Sequence, residues 1–156
     1  MKKACTNIYK LGRLFAKQTL EEAADGLGVS VRCLAYYESG AIIPPEDVVC
    51  RMVEIYRQPS LAYKHLKQNN EVGRRCLPEI HEDGLSQAVL RLQMRHAHLH
   101  NIEPTIVSIA LDNIIDEEES PVWAEIRNDL GHMASAVISL MFYPEKKNDL
   151  MLQARG

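Results

Sequence analysis

An all-α fold is what this sequence predicts, on three observations. Apolar residues recur at three- and four-residue intervals along most of the chain, no stretch alternates with the two-residue period of a half-buried strand, and helix-start and helix-stop residues punctuate the periodic runs. With 156 residues, 46% of them apolar, 25% charged and 6% aromatic, the chain has the composition of an ordinary folded protein. It is long enough to bury about two thirds of its unfolded surface. Disorder, collagen-like repeats and disulfide-stapled scaffolds are excluded on composition. The longest uncharged apolar stretch, Met133 to Pro144, is 12 residues long, against about 20 for a membrane-spanning helix. No apolar signal core follows Met1-Lys2-Lys3. The expectation is a soluble, cytoplasmic protein with no membrane partner.

Taken in order, Ile8, Leu11 and Phe15 form the stripe of a first helix. Thr19-Leu20-Glu21-Glu22 is a capping box, in which hydroxyl and carboxylate satisfy orphan amides at a helix start; it opens a second helix near Leu20 to Gly26. Leu27-Gly28-Val29 reads as a tight turn with Gly28 in the left-handed conformation, and Ser30 as the cap of a third helix, Val31 to Glu38. Gly40 ends that helix. Pro44-Pro45 starts a fourth, with Val48, Val49, Met52 and Tyr56 facing inward, and Ser60 is placed to cap a fifth through Lys67. The polar, aperiodic stretch that follows is read as a linker over residues 68–84.

Beyond the linker, Leu85, Val89, Leu92, His96 and Leu99 define one seam, and a short helical piece follows Pro104. A long last helix, capped by Asp116 or Ser120, carries Trp123, Ile126, Leu130, Met133, Val137 and Leu140, the 3.5-residue repeat that packs helix on helix. The expected domains are a helix-turn-helix domain over 1–67, a helical hairpin over 85–143 and a flexible tail over 144–156. One face of so small a hairpin is hard to cover within one chain, so the Trp123-to-Leu140 seam is assigned to dimerisation.

Charge divides the chain in the same place. Residues 1–70 hold ten Lys and Arg against seven Asp and Glu, while residues 71–156 hold eight against fourteen. The first half tolerates a polyanion and the second repels one. Cys5, Cys33, Cys50 and Cys76 form no CxxC pair and read as reduced thiols, Cys33 and Cys50 as small buried hydrophobes.

The run Thr19-Leu-Glu-Glu-Ala-Ala-Asp-Gly-Leu-Gly-Val-Ser-Val-Arg-Cys-Leu-Ala-Tyr-Tyr-Glu-Ser-Gly40, followed by Pro44, resembles the Cro/phage-repressor (Xre) type of helix-turn-helix DNA-binding domain. The likeness rests on small Ala24 at the helix crossing, Gly28 in the turn, inward Leu34 and Tyr37, and Glu38 and Gly40 at the close. It implies that the third helix enters the major groove of double-stranded DNA. Periodicity turns Cys33, Leu34 and Tyr37 inward and Val31, Arg32, Ala35 and Tyr36 outward. Arg32 then suits a guanine, Val31 and Ala35 a thymine methyl, and Tyr36 a base or phosphate; Lys17, Gln18 and Ser30 are assigned to phosphates. One position departs from the family: Leu20 stands where a backbone-contacting Gln is usual. The acidic turn Asp112 to Glu119 gives the second half a weaker likeness to phage lysogeny regulators and their relatives in Gram-positive mobile elements.

The resulting expectation is a homodimeric, sequence-specific transcriptional regulator, in most such proteins a repressor. The alternative is an antitoxin-like adaptor that binds a protein and grips DNA weakly. No nucleophile elbow, P-loop or dinucleotide fingerprint is present, so no catalytic residue, cofactor or small-molecule substrate is assigned. The acidic turn lacks the central glycine of a calcium loop. His96 and His100 share a helix face without a third ligand, so no metal is assigned to them either.

Overall fold

The computed structural model describes residues 7–143, and among them every regular element is a helix. The flanking residues, with the expected tail and Cys5, lie outside the described residues. The chain divides into two compact units, the first ending at Leu77 and the second running from Pro78 to Phe142.

In the first unit α1 (Ile8–Phe15) is opened by Asn7. Its side-chain oxygen accepts from the amides of Tyr9 and Lys10, and its Nδ2 donates to the Tyr37 carbonyl at 2.9 Å. The inner face of α1 is Ile8, Tyr9, Gly12 and Arg13. Phe15, expected on that face, is 70% exposed, because it falls about 90° of helix rotation from the centre of the face these four residues form and the helix ends there; Leu11 is half-buried. The chain then turns through Lys17 in the left-handed conformation.

Next come α2 (Leu20–Leu27) and α3 (Val31–Ser39), joined by Gly28, Val29 and Ser30. The Thr19–Glu22 capping box forms reciprocally, and Gly28 takes φ +67°, a conformation that costs glycine nothing. Ser30 caps α3 by accepting from the Cys33 amide at 3.1 Å. Ala23, Ala24, Leu27, Leu34 and Tyr37 are buried, and α4 (Glu46–Tyr56) closes over them with Val48, Val49, Met52 and Tyr56.

α5 (Ser60–Asn69) adds Leu61 to the core. Ser60 makes no cap; it is the first helical residue, preceded by Pro59 already in helical geometry. The stretch read as an open linker instead carries α6 (Glu71–Cys76). Asn70 caps it through the Gly73 amide, Glu71 pairs with Arg74 and Arg75, and the Lys67 ammonium donates to the Leu77 carbonyl at 2.6 Å. Short capped helices of this kind have no apolar period to read.

In the second unit α7 (Leu85–Ala110) and α8 (Ser120–Met141) pack along one another. The His81 amide donates to Ser139 Oγ and His98 meets Asp129, so partner numbers fall as the chain advances and the pair is antiparallel. α7 runs unbroken through Pro104, where a separate helical piece was expected. Its seam, Ala88, Leu92, Arg95, Leu99, Ile102, Ile106 and Ile109, continues on both sides of the proline. Leu92, Leu99, Ile102 and Ile106 are half-buried along it and Ile109 is buried, and their combined apolar burial offsets the roughly 3 kcal/mol cost of an interior proline. This seam also replaces the one expected: Leu85, Val89 and His96 are exposed, and only Leu92 and Leu99 are shared. α7 is apolar on more than one side, which makes the period ambiguous. Neither expected residue caps α8: Ser120 is its first helical residue, Glu119 precedes it without a side-chain cap, and the Asp116 carboxylate accepts from the amides of Glu118 and Glu119 in the turn before it; Pro121 sits in the first turn.

Candidate nucleic-acid interface

The face that α3 turns outward is set by what it buries. Leu34 and Tyr37 are fixed in the core, and the opposite ridge carries Val31, Arg32, Tyr36 and Ser39, all exposed. Ala35 lies on the same outward arc, between Val31 and Ser39, but is half-buried, its single methyl standing lower than the larger side chains around it. Cys33 is also half-buried, and Cys50, expected inside, is exposed, as is Cys76. On α4 the inner positions are filled by Val48, Val49 and Met52, which leaves Cys50 on the far side.

Arg32 and Tyr36 are in contact. Arg32 Nε donates to Tyr36 Oη at 2.8 Å, and the guanidinium carbon lies 5.5 Å from the ring centroid. Ser39 Oγ donates to the Tyr36 carbonyl at 3.1 Å. Ser30 is exposed at the start of α3 with its hydroxyl oxygen already accepting from an amide. Lys17 is exposed in the turn before α2; Gln18 is half-buried, with its Oε1 enclosed and without a hydrogen-bond partner. Leu20 is half-buried and packs against the core, so the position carries no polar group at the surface. Beside it α2 presents Glu21, Glu22 and Asp25 to solvent.

α3 is held at its far end by an interaction that local sequence patterns do not reveal. Arg13 Nε donates to Glu38 Oε1 at 2.6 Å and its Nη2 to Glu38 Oε2 at 2.9 Å, while Nη1 donates to the Gln18 carbonyl at 2.9 Å. The two side chains are 11% and 7% exposed. Glu38 raises the Arg13 pKa further above its ordinary value. Tyr56, alongside, is pushed up to about 12 by burial and by the charge of Glu38. One guanidinium thereby ties α1, the turn before α2 and the end of α3 together. The signal in the sequence was a charged residue on the inner face of each of two apolar helices.

In the second unit the residues that the sequence assigns to dimerisation divide into two sets. Ile126 is buried against α7, and Trp123, Met133 and Leu140 are half-buried beside it. Ile126 is therefore part of the hairpin's own core and not a surface for a second chain. Leu130 and Val137 face solvent, as does Met141. His98 pairs with Asp129 at 3.0 Å and His100 with Glu103 at 3.2 Å, and His96 is exposed. Among the described residues no three His, Cys, Asp or Glu side chains converge as a metal-binding group. No helix among them is long and apolar enough to cross a membrane.

Comparison with protein-family models, with curated proteins and with solved structures gives no match for this chain.

Proposed function

We propose that this chain is a sequence-specific DNA-binding transcriptional regulator of the Cro/phage-repressor type, acting as a homodimer on a palindromic operator. The observation that carries this reading is the outward ridge of α3. A helix capped at its N-terminus by Ser30 and anchored on both inner sides exposes Val31, Arg32 and Tyr36 in its first two turns, the positions that reach base edges when such a helix lies in the major groove. Dimerisation through Leu130, Val137 and Met141 brings two such helices to an operator whose half-sites lie about 34 Å apart, and the second contact supplies the avidity one small module lacks. Bound over a promoter, the dimer excludes polymerase.

A second reading, a protein-binding adaptor with weak DNA affinity, is favoured by one feature. The start of α2 turns Glu21, Glu22 and Asp25 outward and has Leu20 in place of a polar anchor, which opposes a phosphate backbone along that edge. Capture of fragmented genomic DNA in the presence of excess random competitor separates the two. Retention of a few fragments sharing one motif supports the regulator, whereas retention of none, or of all alike with a shallow salt dependence, supports the adaptor.

A further inference from the structure

The Arg32–Tyr36 contact restricts what Arg32 can read, and this inference rests on the DNA reading above. A guanidinium has two edges able to donate a parallel pair of hydrogen bonds: a side edge made by Nε and one terminal nitrogen, and an end edge made by both terminal nitrogens. Tyr36 Oη occupies Nε–H at 2.8 Å, which removes the side edge. The end edge, pointing away from the side-chain stem, is left as the available pair of donors. Tyr36 lies one helical turn beyond Arg32 on the same exposed ridge, with the Arg32 guanidinium 5.5 Å from its ring centroid. Arginine is otherwise a long flexible side chain, and a fixed rotamer presented by a rigid helix is what separates base reading from loose attraction to phosphate. Val31 beside Arg32 is apolar and 39% exposed, a surface suited to the groove floor and not to the phosphate backbone.

We propose that Tyr36 is a specificity-determining positioning residue: its hydroxyl holds Arg32 so that the end edge of the guanidinium reads O6 and N7 of one guanine in each half-site. Tyr36 acts through Arg32 and need not touch a base itself. Tyr36→Phe keeps the ring and loses only the acceptor.

The test measures affinity for the selected operator and for three variants in which that guanine is replaced by each other base. The wild type, Tyr36→Phe, Arg32→Lys and the double variant are compared, with melting temperature and salt slope recorded for each. Tyr36→Phe is expected to reduce discrimination at that single position by about three- to ten-fold. Its melting temperature and salt slope are expected to stay unchanged. On the Arg32→Lys background, which lacks a planar edge, Tyr36→Phe is expected to change nothing further. Unaltered discrimination in Tyr36→Phe overturns the inference while leaving the DNA reading intact. A uniform loss on every sequence with a shallower salt slope overturns it too, because the hydroxyl would then be a phosphate contact. A wild type with no preference at any base removes the DNA reading itself and the inference with it.

Discussion

Arg13 and Glu38, 25 residues apart in the chain, meet as a two-pronged ion pair whose side chains are almost fully enclosed. The pair fixes the end of α3 against α1, while the third Arg13 nitrogen holds the Gln18 carbonyl in the turn that leads to α2. The helix proposed to enter the groove is thus positioned from its far end by a charge on another element.

Removing one partner leaves a buried charge without compensation. Arg13→Ala is expected to destabilise the first unit by about 3–5 kcal/mol. The apolar double variant Arg13→Met, Glu38→Leu should recover most of that loss, because neither charge then has to be desolvated. Chemical denaturation of the three proteins checks this, and a double variant as unstable as Arg13→Ala would show that the loss does not come from an uncompensated Glu38 charge.

Two glycines predict opposite signs. A Cβ at Gly73 would collide with the Leu66 carbonyl oxygen, which is backbone and cannot yield, whereas a Cβ at Gly131 meets nothing within 4 Å. Gly73→Ala is expected to cost about 1–3 kcal/mol by overpacking, and Gly131→Ala, in the interior of α8, to add about 0.5–1 kcal/mol through the unfolded chain. Thermal melts that failed to show these opposite signs would refute the close approach of α6 to α5.

His65 gives the first unit a pH dependence. Its Nδ1 lies 2.8 Å from Tyr9 Oη, which also accepts from Asn69 Nδ2 at 3.1 Å. Asn69 Nδ2, which can only donate, also lies 3.4 Å from His65 Nδ1, an arrangement that suits an unprotonated Nδ1 accepting the phenol hydrogen. Burial lowers the His65 pKa below its ordinary 6.5, with Glu46 pulling weakly the other way. The unfolded chain then binds the proton more readily, so the stabilising contribution is complete above about pH 6.5 and is lost as pH falls toward the lower folded value. Between about pH 7.5 and pH 5.5 the wild type should lose more melting temperature than His65→Gln. Equal slopes would place the titration elsewhere.

The division within α8 predicts two different failures. Leu130→Asp with Val137→Asp, on the solvent side, should yield a folded monomer by light scattering and circular dichroism. Ile126→Asp, at 3% exposure, should unfold the hairpin, since a buried unpaired carboxylate costs several kcal/mol. A dimer that survives the first pair of changes would contradict the assigned surface.

What the sequence made legible follows the range of each signal. The Thr19–Glu22 box, Gly28 and Ser30 act within four residues of themselves, and Val48, Val49, Met52 and Tyr56 repeat on one face with no competing pattern; all appear as read. Burial of Leu34 and Tyr37 follows from the same local period, and it orients Arg32 and Tyr36 outward. The Arg13–Glu38 pair joins elements 25 residues apart, and nothing local to either residue names the other. α6 is too short to show a period. The α7 seam and the passage through Pro104 depend on which of several apolar faces α8 covers, a tertiary choice that a single helix does not record.

Selection from a random duplex library by the purified protein at about 150 mM salt, repeated with Arg32→Ala, tests the outward ridge of α3 most directly. The expected result is an enriched palindrome whose half-site centres are about 10 base pairs apart, with one guanine position relaxed in Arg32→Ala at unchanged melting temperature. A folded, dimeric protein that enriches no sequence, or one whose enriched site is indifferent to Arg32, would contradict it.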